Sequence, residues 1–111
     1  MKFFKVLAAI LLLIALVLAW NINADLPVEK LQEKYTNEES QFMELQGMQV
    51  HYRDEGQGRP LVLLHGTAAS LHTWEGWTKV LREKYRVIAL DLPASGLTGP
   101  NAEHDYRLTS Y

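Results

Sequence analysis

The chain has 111 residues, of which 48% are hydrophobic and 22% are charged, and this composition excludes a disordered or collagen-like chain. Its formal net charge is −2 at pH 7, which argues against a surface for nucleic acid. It contains no cysteine, so disulfides, thiolate metal sites and cysteine nucleophiles are excluded.

The chain begins with a long apolar stretch. Two lysines near the N-terminus precede an uninterrupted hydrophobic run from Val6 to Trp20. A helix over residues 3–20 would be about 27 Å long, which just spans the hydrocarbon core of a bilayer. A basic start, an apolar middle and small residues at Ala19 or Ala24 are also typical of a cleaved signal peptide. A buried helix of a soluble protein is the third alternative. We expect residues 1–24 to be a signal anchor or a signal peptide.

The charges that flank this stretch predict its orientation. Lys2 and Lys5 lie before it, whereas Asp25 and Glu29 follow it. Basic residues favour the cytoplasmic side of a membrane. An uncleaved helix would therefore give a single-pass membrane protein with a cytoplasmic N-terminus and an extracytoplasmic domain. Cleavage would instead release a secreted or periplasmic protein.

Residues 25–41 are predicted to connect this stretch to a folded domain. Asp25 can cap a short helix that has a proline in its first turn, where a missing N–H costs nothing. Val28, Leu31 and Tyr35 follow at helical spacing and form one apolar stripe. We expect a juxtamembrane helix that lies on the domain or on the membrane, with a polar spacer as the alternative.

An antiparallel hairpin is predicted next. The apolar segment Phe42–Leu45 is joined through Gln46 and Gly47 to Met48–Arg53, in which hydrophobic and polar side chains alternate. This alternation is typical of a half-buried strand. It places His51 on the polar face, where we expect the imidazole to be solvated rather than catalytic.

Two continuous hydrophobic runs predict a parallel βαβ unit. Leu61–Leu64 and Val87–Leu90 each suit a strand that is buried on both faces. Between them Trp74, Trp77 and Leu81 recur at helical spacing, which predicts a helix whose stripe faces the core. Antiparallel N-terminal strands followed by a parallel crossover indicate an α/β fold with an open, mostly parallel sheet.

The loop after the first parallel strand carries most of the functional information. Ligands bind at the carboxyl ends of strands in such sheets, and small residues in the loop let a backbone approach a substrate closely. The amides of Thr67 and Ala68 have no strand partner and could point into a crevice. A tight turn that merely packs is the alternative. The loop contains neither a Walker sequence nor a dinucleotide fingerprint.

A second glycine-containing loop, residues 91–100, follows the second parallel strand. Asp91 can accept hydrogen bonds from loop amides, and we expect a structural role for it. Ser95 lacks the flanking glycines of the G-x-S-x-G motif and is therefore rejected as a nucleophile.

These loops and their strands resemble the N-terminal third of a protein of the α/β-hydrolase fold family. The similar features are a strand followed by His-Gly and a short serine-containing loop, a tryptophan on the first helix, and D-x-P-G-x-G-x-S/T after the second parallel strand. The resemblance covers Phe42–Tyr111. The sequence departs from the family pattern at Ala94, where glycine is usual, and at Thr98, where serine is commoner. If φ is positive at Ala94, this residue strains the loop by about 1 kcal/mol.

The resemblance implies a role for each matching residue. The backbone N–H of Thr67 corresponds to the first oxyanion donor, within a loop that also contains His65, Gly66 and Ala68. In the same way, Trp74 corresponds to a packing or pocket-wall residue, and Asp91 to a structural one.

The family's catalytic residues follow the part that matches. In the family, the nucleophile, the acid and the histidine come in that order, after the second parallel strand and the helix that follows it. Leu108–Tyr111 resembles the opening turn of that helix. No G-x-S-x-G motif occurs here, and all four histidines precede the expected nucleophile. We therefore expect residues 42–111 to be a truncated N-terminal portion of the domain, inactive by itself. With apolar strand faces and one sheet edge uncovered, residues 25–111 alone should be insoluble or molten.

The resemblance implies an ester-type serine hydrolase that forms an acyl-enzyme in the full-length protein and acts on a small ester-like molecule. The alternatives are a dehalogenase- or peroxidase-type relative, or a non-catalytic membrane-anchored α/β binding domain. We expect no metal and no organic cofactor, and contact with the membrane through residues 3–20.

Overall fold

The computed structural model describes residues 1–22, 26–107 and 109. Its first element is the helix α1, Lys2–Asn21, as the apolar run predicts. None of its residues is buried against the rest of the described chain, and its mean hydropathy reaches 2.7. By length and composition it suits either a membrane anchor or a signal sequence.

The second helix, α2, spans Val28–Tyr35 and confirms the predicted connector helix. Asp25, which we expected to cap it, lies outside the described residues; Pro27 occupies the position before the first turn. The ring of Tyr35 meets the ring of His72 edge-on, with 5.7 Å between the centroids. This helix therefore lies against the domain.

Four strands form one mixed sheet in the order β1-β2-β4-β3. These strands are β1 Ser40–Leu45, β2 Met48–Glu55, β3 Arg59–Leu64 and β4 Tyr85–Leu90. The first two form the predicted antiparallel hairpin, β2 pairs antiparallel with β4, and β3 pairs parallel with β4. The α/β architecture and the parallel pairing are thus confirmed.

The hairpin turn explains the close pairing of β1 and β2. Gln46 and Gly47 both have positive φ, at 51° and 76°. Two consecutive positive φ angles match the right-handed twist of paired strands, and glycine adopts them without strain.

The prediction that both parallel strands are buried on both faces is wrong for β3. Val62 and Leu64 are about half exposed, whereas Val87 and Ala89 of β4 are buried. Because β4 lies between β2 and β3, the sheet that the described residues form has its two edges at β1 and β3, and the second parallel strand is an inner strand. Strand order depends on pairing between distant segments, which an apolar run does not encode.

The crossover between β3 and β4 consists of a 3₁₀ turn, Leu71–Trp74, followed by the helix α3, Glu75–Leu81. The predicted core stripe is wrong at Trp77, which is 63% exposed. Leu71 and Thr78 face the sheet instead, next to Val87 and Ala89. A 3₁₀ turn has three residues per turn, so it shifts the phase of the stripe before α3 begins.

Candidate functional site

The loops that follow β3 and β4 begin side by side. Leu64 pairs with Leu90 at the carboxyl ends of the two parallel strands. Residues 65 and 91 therefore leave the sheet at the same edge, where open α/β sheets bind their ligands.

The first loop is clamped at both ends by the second. At its start, the buried His65 accepts a hydrogen bond from the Leu92 N–H at Nε2 (2.9 Å), while its Nδ1–H donates to the Gly66 carbonyl (2.8 Å). At its end, the Leu71 N–H donates to Oδ1 of Asp91 (2.8 Å). Two consecutive residues after β4 thus fix the loop 66–70 from both sides.

Between the clamped ends lie the two amides that the sequence singled out. Within the described residues, neither the Thr67 N–H nor the Ala68 N–H donates a hydrogen bond, and both residues are exposed. Ala68 has a φ of 55°, a left-handed conformation that alanine adopts only under strain. Two unpaired amides on a clamped loop can stabilise negative charge on a ligand oxygen.

The carboxylate of Asp91 is the centre of this arrangement. It is 1% exposed, and its Oδ2 accepts hydrogen bonds from Nδ1 of His51 (2.8 Å) and from the Leu97 N–H (2.9 Å). Burial by itself raises the pKa of Asp91, but the hydrogen bonds from His51 and from the amides of Leu71 and Leu97 outweigh it and hold this pKa below its ordinary value. Asp91 therefore joins three segments as an ionised group.

The expectation that His51 is solvated is wrong. Its side chain is fully buried, stacks on Phe42 with 4.9 Å between the ring centroids, and contacts Ser40 Oγ through Nε2 (3.0 Å). The pairing of β2 with β4 places His51 next to Asp91, which no local pattern reveals. The face that alternation marked as polar is a buried hydrogen-bonded interior.

Comparison with known proteins identifies this arrangement. Residues 59–111 match the family described as alpha/beta hydrolase fold. The solved Cif epoxide hydrolase from Acinetobacter nosocomialis superposes with a TM-score of 0.62 at 27% identity, over 81% of this chain and 33% of that one. The chain therefore has the N-terminal part of an α/β-hydrolase fold.

Two relatives that the chain resembles differ in the names of their reactions. A pimeloyl-[acyl-carrier protein] methyl ester esterase from Legionella pneumophila is 43% identical over 51 residues, which are 46% of this chain and 21% of the relative. A 2-hydroxy-6-oxo-6-(2'-aminophenyl)hexa-2,4-dienoic acid hydrolase from Metapseudomonas resinovorans is 32% identical over 80 residues, 68% of this chain and 27% of the relative. The chain thus spans about a fifth to a third of the length of the proteins it matches.

The second loop, residues 91–100, is built around the same carboxylate. Gly96 has a φ of 53°, and a Cβ at this position would overlap the Asp91 carboxylate. Thr98 is buried; its hydroxyl donates to the Asp91 carbonyl (2.8 Å) and accepts the His51 N–H (3.0 Å). Ala94 has a φ of 54°, so the condition under which it strains the loop is met.

A Ser–His–Asp series is present but does not form an active site. Ser40, His51 and Asp91 are linked by contacts of 3.0 and 2.8 Å, in the order that serine hydrolases use. However, Ser40 Oγ also accepts hydrogen bonds from the Asn37 N–H (3.1 Å) and from Nε of Arg53 (3.4 Å), and the Ser40 amide donates to Asn37. The hydroxyl is therefore engaged, and its own amide is not free to stabilise an oxyanion.

A charged cluster connects α2 and α3 to the interior. The side chain of Arg53 is buried; it donates to Glu75 Oε1 (2.9 Å) and to the Tyr35 carbonyl (3.2 Å). Hydrogen bonds from His72, and secondly from Arg53, hold the pKa of Glu75 below its ordinary value. Arg53 thereby fixes the C-terminal end of α2 beside the first turn of α3.

The remaining predicted residue, Trp74, is half-buried in the 3₁₀ turn after the first loop. Its indole N–H is buried and has no acceptor among the described residues. This position is compatible with packing; its role as a pocket wall stays a prediction.

Proposed function

We propose that residues 42–111 are the N-terminal portion of a hydrolase domain whose oxyanion hole begins in the loop 65–70. The Thr67 N–H would be the first donor, and the whole protein would cleave an ester-like small molecule through an acyl-enzyme. The observation that carries this proposal is the clamped loop with two amides that have no partner among the described residues.

The clamp matters because an oxyanion donor works only when it is already in place. Such a donor contributes roughly 3 kcal/mol to the transition state when it needs no reorganisation. In this loop, buried groups of His65 and Asp91 hold both ends, so the backbone between them does not have to be ordered during the reaction.

The nucleophile and its partners would come from outside these 111 residues. The sequence contains no G-x-S-x-G motif. In the whole protein, this motif should follow within about 30 residues, after one more strand. The 111-residue chain by itself should therefore not react with serine-directed reagents.

A fluorophosphonate probe tests this proposal. It should label the whole protein stoichiometrically at the serine of that motif and leave the 111-residue chain unlabelled. Labelling of the 111-residue chain would show that one of its own serines is a nucleophile, and it would refute the assignment.

An epoxide hydrolase is the second candidate, favoured by the likeness to the Cif epoxide hydrolase. One fold supports several chemistries, and the nucleophile decides among them. Turnover of styrene oxide without fluorophosphonate labelling would favour this candidate over the serine esterase. Turnover of a haloalkane would indicate dehalogenase-type chemistry, and turnover of hydrogen peroxide would indicate peroxidase-type chemistry. A protein that turns over none of these substrates would be a binding domain.

We also propose that residues 3–20 of α1 anchor the protein in the membrane, with the N-terminus cytoplasmic and the domain extracytoplasmic. The exposed apolar helix and the two lysines at its start support this orientation. The full-length protein should remain in the pellet after alkaline carbonate extraction. A mature protein that begins near residue 25 would instead indicate a cleaved signal peptide.

A further inference from the structure

A continuous series of hydrogen bonds, part-buried at Ser40 and buried at His51 and Asp91, runs from the start of β1 to the end of the first loop. Ser40 Oγ contacts Nε2 of His51, Nδ1 of His51 donates to Asp91 Oδ2, and Asp91 Oδ1 accepts the Leu71 N–H. His51 and Asp91 are 0% and 1% exposed, so water does not compete for the bond between them or for the bond from the Leu71 N–H. The series ends one residue after Ser70, the last residue of the clamped loop.

His51 is the side-chain donor that orients this carboxylate. Because an ionised carboxylate only accepts hydrogen bonds, the proton between the two groups resides on Nδ1 of His51. Without that donor, Oδ2 would keep the Leu97 N–H as its partner and would be left short of donors in a buried position. The carboxylate would then turn toward better solvation and release the Leu71 N–H.

The two ring nitrogens of His51 are both engaged, which fixes the plane of the ring. Ser40 contacts Nε2 from one side, Asp91 contacts Nδ1 from the other, and Phe42 stacks on the face. A residue that merely filled space would not need a partner on each nitrogen. The arrangement therefore positions an acceptor and does more than fill a core.

We propose that His51 is a positioning residue of the oxyanion hole, which holds Asp91 so that the end of the loop 66–70 stays fixed. This inference rests on the proposed function, since the amide whose position it controls is that of Thr67. Misplacing a catalytic group by about 1 Å can cost about 100-fold in rate, whereas binding of the substrate elsewhere is unaffected.

Kinetics of the whole protein with p-nitrophenyl butyrate test the proposal. His51→Leu removes the donor and should lower kcat about 10- to 100-fold while KM changes less than about threefold. His51→Asn keeps an N–H donor near Asp91 and should restore kcat to within about fivefold of the parent. The exposed His104, changed to Asn, is the matched control and should leave both constants unchanged.

Hydrogen exchange measured by mass spectrometry gives a readout that does not need activity. In the whole protein, exchange in the peptide 66–72 should become at least about tenfold faster in His51→Leu and stay near the parent rate in His51→Asn. If His51→Leu fails to fold, Ser40→Ala takes its place, and it should lower kcat about threefold to tenfold with KM unchanged.

Several results would overturn the proposal. An unchanged kcat in His51→Leu would contradict it, and so would an unchanged kcat in Ser40→Ala if that variant replaces His51→Leu. An equal loss of kcat in His51→Leu and His51→Asn would also contradict it. Unchanged exchange in the peptide 66–72 would also contradict it. If the parent protein hydrolyses no ester and is not labelled by fluorophosphonate, the proposed function fails instead, while the exchange measurement still decides whether His51 fixes the loop.

Discussion

The left-handed conformation of Ala94 gives a stability prediction of definite sign. At a φ of 54° an L-residue with a Cβ is strained by roughly 1–2 kcal/mol, which glycine does not suffer. Ala94→Gly also raises the entropy of the unfolded chain, at a cost of about 0.4–1 kcal/mol. Because Ala94 is exposed, little packing is lost, and the net effect should be a gain of roughly 0.5–1 kcal/mol in the free energy of unfolding.

Urea unfolding of the whole protein, followed by tryptophan fluorescence, measures this difference. The matched control is Ala69→Gly, because Ala69 is not among the described residues with positive φ. That variant should lose about 0.5–1 kcal/mol from chain entropy alone. If Ala94→Gly is destabilised as much as Ala69→Gly, the loop does not store the strain that its backbone indicates.

Three further predictions concern the carboxylate and the open sheet. Gly96→Ala should destabilise the protein by roughly 2 kcal/mol or more in urea unfolding, because its Cβ overlaps the Asp91 carboxylate at a φ that already disfavours alanine; an effect below about 0.5 kcal/mol would contradict the overlap. Asp91→Asn should cost about 3 kcal/mol at pH 7. The folded-state pKa of Asp91 is lowered, so this stabilisation is present above its unfolded pKa and is lost as pH falls through the folded pKa. The difference in stability between parent and variant should therefore shrink below about pH 4. A difference that stays constant with pH would show that the charge is irrelevant. Residues 25–111 expressed alone should be insoluble or bind the dye ANS with weak near-ultraviolet circular dichroism, because Met43, Leu45 and Val62 leave one sheet face apolar and about half exposed; a sharp two-state melt of a monomer would disprove this.

Local sequence patterns predict the strands of this fold but not which strands lie next to each other in the sheet. The alternation in Met48–Glu55 and the apolar runs of β3 and β4 specify strands, and the Gln46-Gly47 turn specifies a hairpin. Strand order is different, because it follows from pairing between segments about 35 residues apart in the chain. The exposed face of β3 has a separate cause: Leu71 and Thr78 cover the face of Val87 and Ala89, and an apolar run does not indicate which face of a sheet will be covered.

The candidate site shows the same division between local and distant information. The position of the loop 66–70 could be anticipated from the residues themselves, and the strain at Ala94 from the resemblance to the α/β-hydrolase fold family. The burial of His51 could not, since it arises where β2 meets the end of β4. Likewise, the apolar spacing of the crossover between β3 and β4 predicts one continuous helix, whereas the structure has a 3₁₀ turn in place of the first helical turn. This turn rotates Trp77 outward.

Deletion of a single backbone donor tests the central claim most directly. In the whole protein, Thr67→Pro removes the N–H and should lower kcat for p-nitrophenyl butyrate by about 100- to 1,000-fold, whereas Thr67→Ala, which keeps the N–H, should stay within about threefold of the parent. Circular dichroism confirms that each variant folds. Full activity in Thr67→Pro, or an equal loss in Thr67→Ala, would contradict a catalytic role for the amide of residue 67.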